Sequence, residues 1–271
     1  MKTLIVDLTR CNGCYNCQLA CKDEHVDNDW SPIAKPQPDT GQFWLKISEY
    51  ARGVLPRVRV CYQPVMCQHC ADAPCISVCP VEGGIYRRED GAVIIDAEKC
   101  TGCGACVDAC PYGAVYFNEE LHIAQKCTLC AHLLDRGWKE PRCVDACPTD
   151  ALVFGEEEEL QSLIERAEVL HPEYKTNPRV HYIGLPKPFV AGAVYDAKND
   201  EVVKGAILTL EAKIPGTTYT GTTDGFGEFT LRDVSPGIYT LMVSAPGFDV
   251  KEISGIDVTR EVDLGDIPLG E

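Results

Sequence analysis

The sequence predicts an α+β chain in two parts: a cysteine-rich first part and a small all-β sandwich after it. Sixteen of its seventeen cysteines fall into four spaced sets, the last ending at Cys147. From residue 189 onward there is no cysteine, and apolar and polar residues alternate between turn signals about every ten residues. At 271 residues and 45% hydrophobic, the chain can bury a sizeable core and divide into two domains. The expected boundaries are 1–171 for the cysteine-rich domain, 172–188 for a proline-containing linker and 189–271 for a seven-strand sandwich.

The cysteine spacing points to metal clusters. The first set is Cys11, Cys14, Cys17 and Cys21, spaced C-x2-C-x2-C-x3-C, and Cys100, Cys103, Cys106 and Cys110 repeat it. In the set Cys67, Cys70, Cys75 and Cys79 the middle gap grows to four residues; the fourth set is Cys127 and Cys130, then Cys143 and Cys147 after an insertion. A zinc site usually takes two C-x2-C pairs across a longer loop. Three cysteines in one tight loop, with a fourth three residues on before proline, is instead the bacterial ferredoxin arrangement for a 4Fe-4S cubane. Proline follows Cys79, Cys110 and Cys147, and suits the start of a helix, where no N–H is needed. Because the fourth cysteine of such a loop ligates the other cluster, sixteen thiols make four cubanes in exchanging pairs. The stretch VEGGIYRREDGAVIIDAEK reads as a hairpin about Asp90-Gly91 that joins the second and third sets into one ferredoxin-like unit. The first and fourth sets are then left to pair with each other. Cys61, in VRVCYQPV, is the spare and is expected to be a buried free thiol.

Composition excludes several functions. A disulfide scaffold would be a short secreted chain, yet MKTLIVDLTRC holds too few apolar residues for a signal peptide. No run approaches the roughly 18 apolar residues of a membrane helix, so a cytoplasmic, reducing setting is expected. A net charge of −16 argues against nucleic acid, which needs a basic face. A hydrolase or transferase would need a nucleophile with a base and an orienter, and the histidines do not supply one. His69 lies inside the second loop and is expected to hydrogen-bond near a cluster; His25, His122, His132, His171 and His181 read as structural. The clusters are therefore expected to carry electrons, with no catalytic residue on this chain.

The segments CNGCYNCQLACKDEH, CQHCADAPCISVCP, CTGCGACVDACPYGAVYFNEE and AQKCTLCAHLLDRGWKEPRCVDACPTDALVFGE together resemble the four-cluster electron-transfer subunits of dimethyl sulfoxide reductase-family molybdopterin oxidoreductases, over about residues 1–160. Lys22 stands where the other sets have proline, as in other first sets of that family. The resemblance implies nested ligation. Cys11, Cys14 and Cys17 would share a cluster with Cys147, and Cys127, Cys130 and Cys143 with Cys21. Cys67, Cys70 and Cys75 would share with Cys110, and Cys100, Cys103 and Cys106 with Cys79.

Beyond the clusters, ALVFGEEEELQSLIERAEVLH reads as a strand and an amphipathic helix with Leu160, Leu163, Ile164 and Ala167 on one face. The β-domain resembles transthyretin-like and carboxypeptidase-regulatory-like modules. Phe229, Leu231, Tyr239, Leu241 and Val243 mark its inward faces, and Asp224 of TTDGFGEF is a turn residue. No active-site constellation appears there, so docking is its expected role. This appendage, with YRREDGAVIID and CPYG…NEE…AQKCT…CAHLLD, resembles the transhydroxylase branch of the family. That implies a heterodimer with a large subunit holding molybdenum or tungsten on a bis-pterin guanine dinucleotide and acting on a hydroxylated aromatic. The alternatives are a free-standing polyferredoxin, a subunit of a non-aromatic molybdenum reductase, and a structural zinc-binding module.

Overall fold

The computed structural model describes residues 1–213 and 216–270; Ile214, Pro215 and Glu271, within the expected β-domain, lie outside the described residues. The chain divides into two units: Met1–Glu49 with Tyr62–Leu185, and Tyr50–Cys61 with the segment from Pro186 onward. Among the described residues, no helix is long and apolar enough to cross a membrane.

The first unit opens with β1 (Lys2–Asp7) and α1 (Asn16–His25). A hairpin follows, β2 (Leu45–Val54) and β3 (Arg57–Met66). Next come α2 (Pro74–Ser77), β4 (Ile85–Arg87), β5 (Val93–Ile95) and α3 (Ala105–Ala109). After β6 (Val115–Asn118) and β7 (Ile123–Lys126) stand α4 (Ala131–Leu134) and α5 (Arg142–Asp145). The last elements are β8 (Leu152–Glu156), α6 (Gln161–Ile164) and β9 (Val180–Ile183).

The contiguous residues Thr3–Val6 are all buried because β1 is a central strand covered on both faces. It runs antiparallel to β8, with Val6 opposite Leu152, and parallel to β9, with Leu4 opposite Val180. That pairing brings the first and fourth cysteine sets to the same end of the sheet, because Cys11 follows β1 and Cys147 precedes β8. The helices repeat the nesting: α1 packs on α5, and α2 on α3. β4 and β5 pair across Asp90-Gly91, with Ile85 opposite Ile95, as the sequence predicts.

Three expectations are modified. The helix after β8 spans only Gln161–Ile164 and buries none of its residues, since Glu156 ends β8 and the acidic run forms a turn. Residues 172–188 are not all linker, because β9 joins the central sheet. The tip of the β2–β3 hairpin, residues 50–61, groups with the second unit although it lies far from it in sequence.

The second unit is a sandwich. Its strands are β10 (Val190–Asp196), β11 (Glu201–Val202), β12 (Ile207–Ala212), β13 (Thr218–Thr222), β14 (Glu228–Leu231), β15 (Ile238–Ser244), β16 (Lys251–Asp257) and β17 (Val262–Leu269). They form two four-stranded sheets, β11, β14 and β17 around β10, and β13-β12-β15-β16. Eight strands stand among the described residues after Pro186 instead of seven, the addition being the two-residue β11. The predicted inward residues are buried: Phe229 and Leu231 at 4% exposure, Tyr239 at 2%, Leu241 and Val243 at 0%. Asp224 is a turn residue, its Oδ1 accepting from the N–H groups of Phe226 at 2.8 Å and Glu228 at 3.0 Å. Arg57 holds the hairpin tip in this unit, donating to both carboxylate oxygens of Asp263 at 3.0 and 3.1 Å and to Glu228 at 3.1 Å.

Leu241→Ala leaves a cavity in a core with no solvent access, so the second unit should lose about 2–5 kcal/mol. Phe226→Ala, at a side chain that is 77% exposed, should change stability by less than about 0.5 kcal/mol. Denaturant midpoints of the two variants test the assignment, and equal shifts would contradict it.

Candidate metal centres

None of the seventeen cysteines forms a disulfide, and many sit in the core of the first unit. Cys17, Cys21 and Cys143 pack with Leu4, Val6, Trp44 and Tyr182; Cys70, Cys75 and Cys106 pack with Ile85, Val93 and Val115. Cys61, expected to be buried, is only half-buried on β3, with Arg52 Nη1 4.0 Å from its sulfur. A strand of a two-stranded ribbon keeps part of its surface in solvent.

The four C-x2-C loops share one turn. The residue before the second cysteine has positive φ in each: Gly13 (+71°), His69 (+44°), Gly102 (+70°) and Leu129 (+52°). In two of them its N–H turns back toward the first thiol: His69 N to Cys67 Sγ is 3.5 Å, and Leu129 N to Cys127 Sγ is 3.4 Å. Glycine is the unstrained residue for this φ, whereas a histidine or a leucine held there must be compelled by its surroundings. At two of the loops space also requires glycine. A Cβ on Gly13 would lie 2.4 Å from the Tyr62 ring, and one on Gly102 2.3 Å from the His122 carbonyl oxygen.

The thiols surround hollow spaces. One cavity, of about 20 Å³, is lined by Cys79, Cys100, Cys103 and Cys106, with Ile85 and Ala124. A second, also of about 20 Å³, is lined by Cys67, Cys70, Cys75 and Cys110, with Val93 and Tyr112. Thiol–thiol electrostatics group the remaining eight. Burial first, then Cys147, Cys11 and Cys14, pushes the Cys17 thiol up to about 12. Burial, then Cys127 and Cys130, pushes Cys21 well above its ordinary range; burial, then Cys130, Cys21 and Cys127, does the same to Cys143. Neighbouring groups also feel each other: Cys143 feels Cys17, Cys127 feels Cys67, and Cys106 feels Cys75.

These thiols suit iron. A thiol driven to 11 or 12 stays neutral in the core unless a metal takes its proton's place. Among the described residues, no three His, Cys, Asp or Glu side chains could hold a single metal ion; eight of the cysteines line the two cavities. His69 provides a separate test. Its Nδ1 accepts from the Val93 N–H at 3.0 Å, so the ring proton is on Nε2. That buried Nε2–H has no protein partner, as expected if its acceptor is sulfur of a cluster. Burial, reinforced by Lys126 and Arg179, keeps the ring neutral.

Sequence reasoning placed His69 correctly near a thiol loop but missed two residues. His25, read as structural, is 1% exposed, packs on Trp44 with ring centroids 4.6 Å apart, and brings Nε2 to 4.0 Å from Cys130 Sγ. Lys126 is 2% exposed in a strand whose four residues are all buried. A lysine directly before a candidate ligand, at the end of the short segment IAQK, was the available signal.

Comparison with known proteins also points to 4Fe-4S clusters. The 4Fe-4S dicluster domain matches residues 58–157, a 4Fe-4S binding domain matches 8–24, and the carboxypeptidase regulatory-like domain matches 190–267. The pyrogallol hydroxytransferase small subunit of Pelobacter acidigallici is 37% identical over 98% of this chain and 98% of its own length. A tetrathionate reductase subunit of Salmonella typhimurium is 36% identical over 69% of this chain and 74% of its own. The arsenate respiratory reductase iron–sulfur subunit of a Shewanella species is 31% identical over 66% of this chain and 94% of its own. The protein belongs to the iron–sulfur electron-transfer subunits of the dimethyl sulfoxide reductase family of molybdopterin oxidoreductases, with the two-domain layout of the pyrogallol hydroxytransferase small subunit.

Proposed function

We propose that this chain carries four 4Fe-4S clusters between a large molybdenum- or tungsten-pterin subunit and an outer electron partner, and that the complex acts on a hydroxylated aromatic. The observation that carries the reading is the likeness to a pyrogallol hydroxytransferase small subunit along 98% of the sequence, β-domain included. Cys11, Cys14, Cys17 and Cys147 would hold one cluster, and Cys21, Cys127, Cys130 and Cys143 a second. Cys67, Cys70, Cys75 and Cys110 would hold a third, and Cys79, Cys100, Cys103 and Cys106 a fourth. When bound, the clusters supply one-electron carriers whose potentials this chain sets through charge, hydrogen bonds and burial. The neighbour relations support the order as written, in which the exposed Cys14 and Cys103 belong to the two terminal sets. The reading places the complex in the cytoplasm, where a reducing medium favours thiolate ligands.

Transfer of a hydroxyl between two aromatics is redox-neutral overall, so it needs no relay to an outside acceptor. A full set of sixteen ligand cysteines leaves room for net hydroxylation or dehydroxylation of a phenol beside transhydroxylation. The purified complex should turn over pyrogallol, and strict dependence on an external donor or acceptor would establish the net-redox reaction. Turnover requiring only a polyphenol cosubstrate would establish transhydroxylation, and absence of a copurifying pterin subunit would overturn the partner.

The anaerobically purified protein should contain about sixteen iron and sixteen sulfide, four of each per cubane; about eight of each would refute the ligand assignment. Gly102→Ala combines a φ of +70° with a Cβ 2.3 Å from a carbonyl oxygen, so iron should fall by about a quarter, one cubane in four. Full retention would remove the loop geometry from the account.

A further inference from the structure

The geometry points to Lys126 as a fixed cation set between two cluster sites, a positioning residue that raises both potentials and so favours electron passage across the middle of the relay. The inference rests on the ligand sets proposed above. Lys126 ends β7, where Ile123, Ala124, Gln125 and Lys126 are all buried, and its side chain is 2% exposed. Its Nζ donates to two carbonyls, that of Val93 and, at 3.0 Å, that of Cys127. Val93 lines the cavity of Cys67, Cys70, Cys75 and Cys110. Cys127 belongs to the group with Cys21, Cys130 and Cys143. One amine thus touches the walls of both sites.

A buried ammonium needs a countercharge. Among the described residues no carboxylate pairs with Lys126; its polar partners are neutral carbonyls. Its charge reaches the sulfurs of Cys75 and Cys127, one in each set, which become anionic only on ligation. Ligated thiolates therefore supply the missing negative charge. Each electron added to either site increases that charge by one, and a cation held in low dielectric favours its arrival. Removing the cation lowers the affinity for that electron at both sites, while the two terminal sites, which Lys126 does not touch, should respond less.

The test compares Lys126→Met and Lys126→Gln in the whole purified complex, using iron content and an EPR-monitored redox titration. Met keeps the length without polarity; Gln keeps a hydrogen-bond donor without charge. The expected result is about sixteen irons per chain, with two midpoint potentials falling in both variants and two nearly unmoved. Unchanged potentials, an equal shift of all four, or wild-type potentials in Lys126→Gln alone would overturn the inference. If neither neutral variant retains iron, Lys126→Arg decides: full loading supports a requirement for charge, and failure to load shows that shape alone is required. A wild-type complex lacking sixteen irons would instead defeat the ligand assignment.

Discussion

The burial of thiols in the first unit is the constraint from which the rest follows. Cys21 and Cys143 lie in the same packed cluster as Leu4, Val6 and Tyr182, where an ordinary globular core would place aliphatic side chains. Apart from α1, with ten residues, each α-helix of this unit has only four or five. Helices that short are not stable in isolation. What fixes them is the demand that four loops present thiols inward, with His69 and Leu129 held at positive φ to do so. Cluster ligation offsets the cost of these strained turns and of the buried, otherwise neutral thiols.

The second unit rests on different physics. Its core is the alternating inward set of β12, β14 and β15, with Leu208, Leu210 and Leu241 at 0% exposure. Nothing in that core needs a metal. The hairpin tip is held there by charge, with Arg57 on Asp263 and Arg52 donating to Glu261 at 2.6 Å. These side chains are partly buried, so their pairing is less screened than a surface ion pair would be. One polypeptide thus combines a unit organised by ligands with a unit organised by apolar area.

The four cysteine loops of the candidate site were legible in the sequence, because cysteine spacing is a local code. The DG turn, the inward set around Leu241 and the role of Asp224 were legible for the same reason: each depends on neighbours within a few residues. What escaped depends on distant segments. TLIV of β1 is a short apolar run, and only its partners Leu152 and Val180 make it the centre of a sheet. β9 lay hidden among prolines, since Pro178 and Pro186 flank it and suggested extended linker. The membership of residues 50–61 in the second unit depends on carboxylates about two hundred residues away. Lys126 escaped because a lysine in a strand normally faces solvent, and only the folded protein shows it enclosed.

The central claim is that cluster ligation, more than apolar packing, holds the first unit together. The direct measurement is amide hydrogen exchange on the intact protein, before and after anaerobic removal of iron by a chelator. The account predicts that the amides of β1, β8 and α1 lose protection in the iron-free protein while those of β12 and β15 keep theirs. Undiminished protection across β1 and β8 without iron would contradict it.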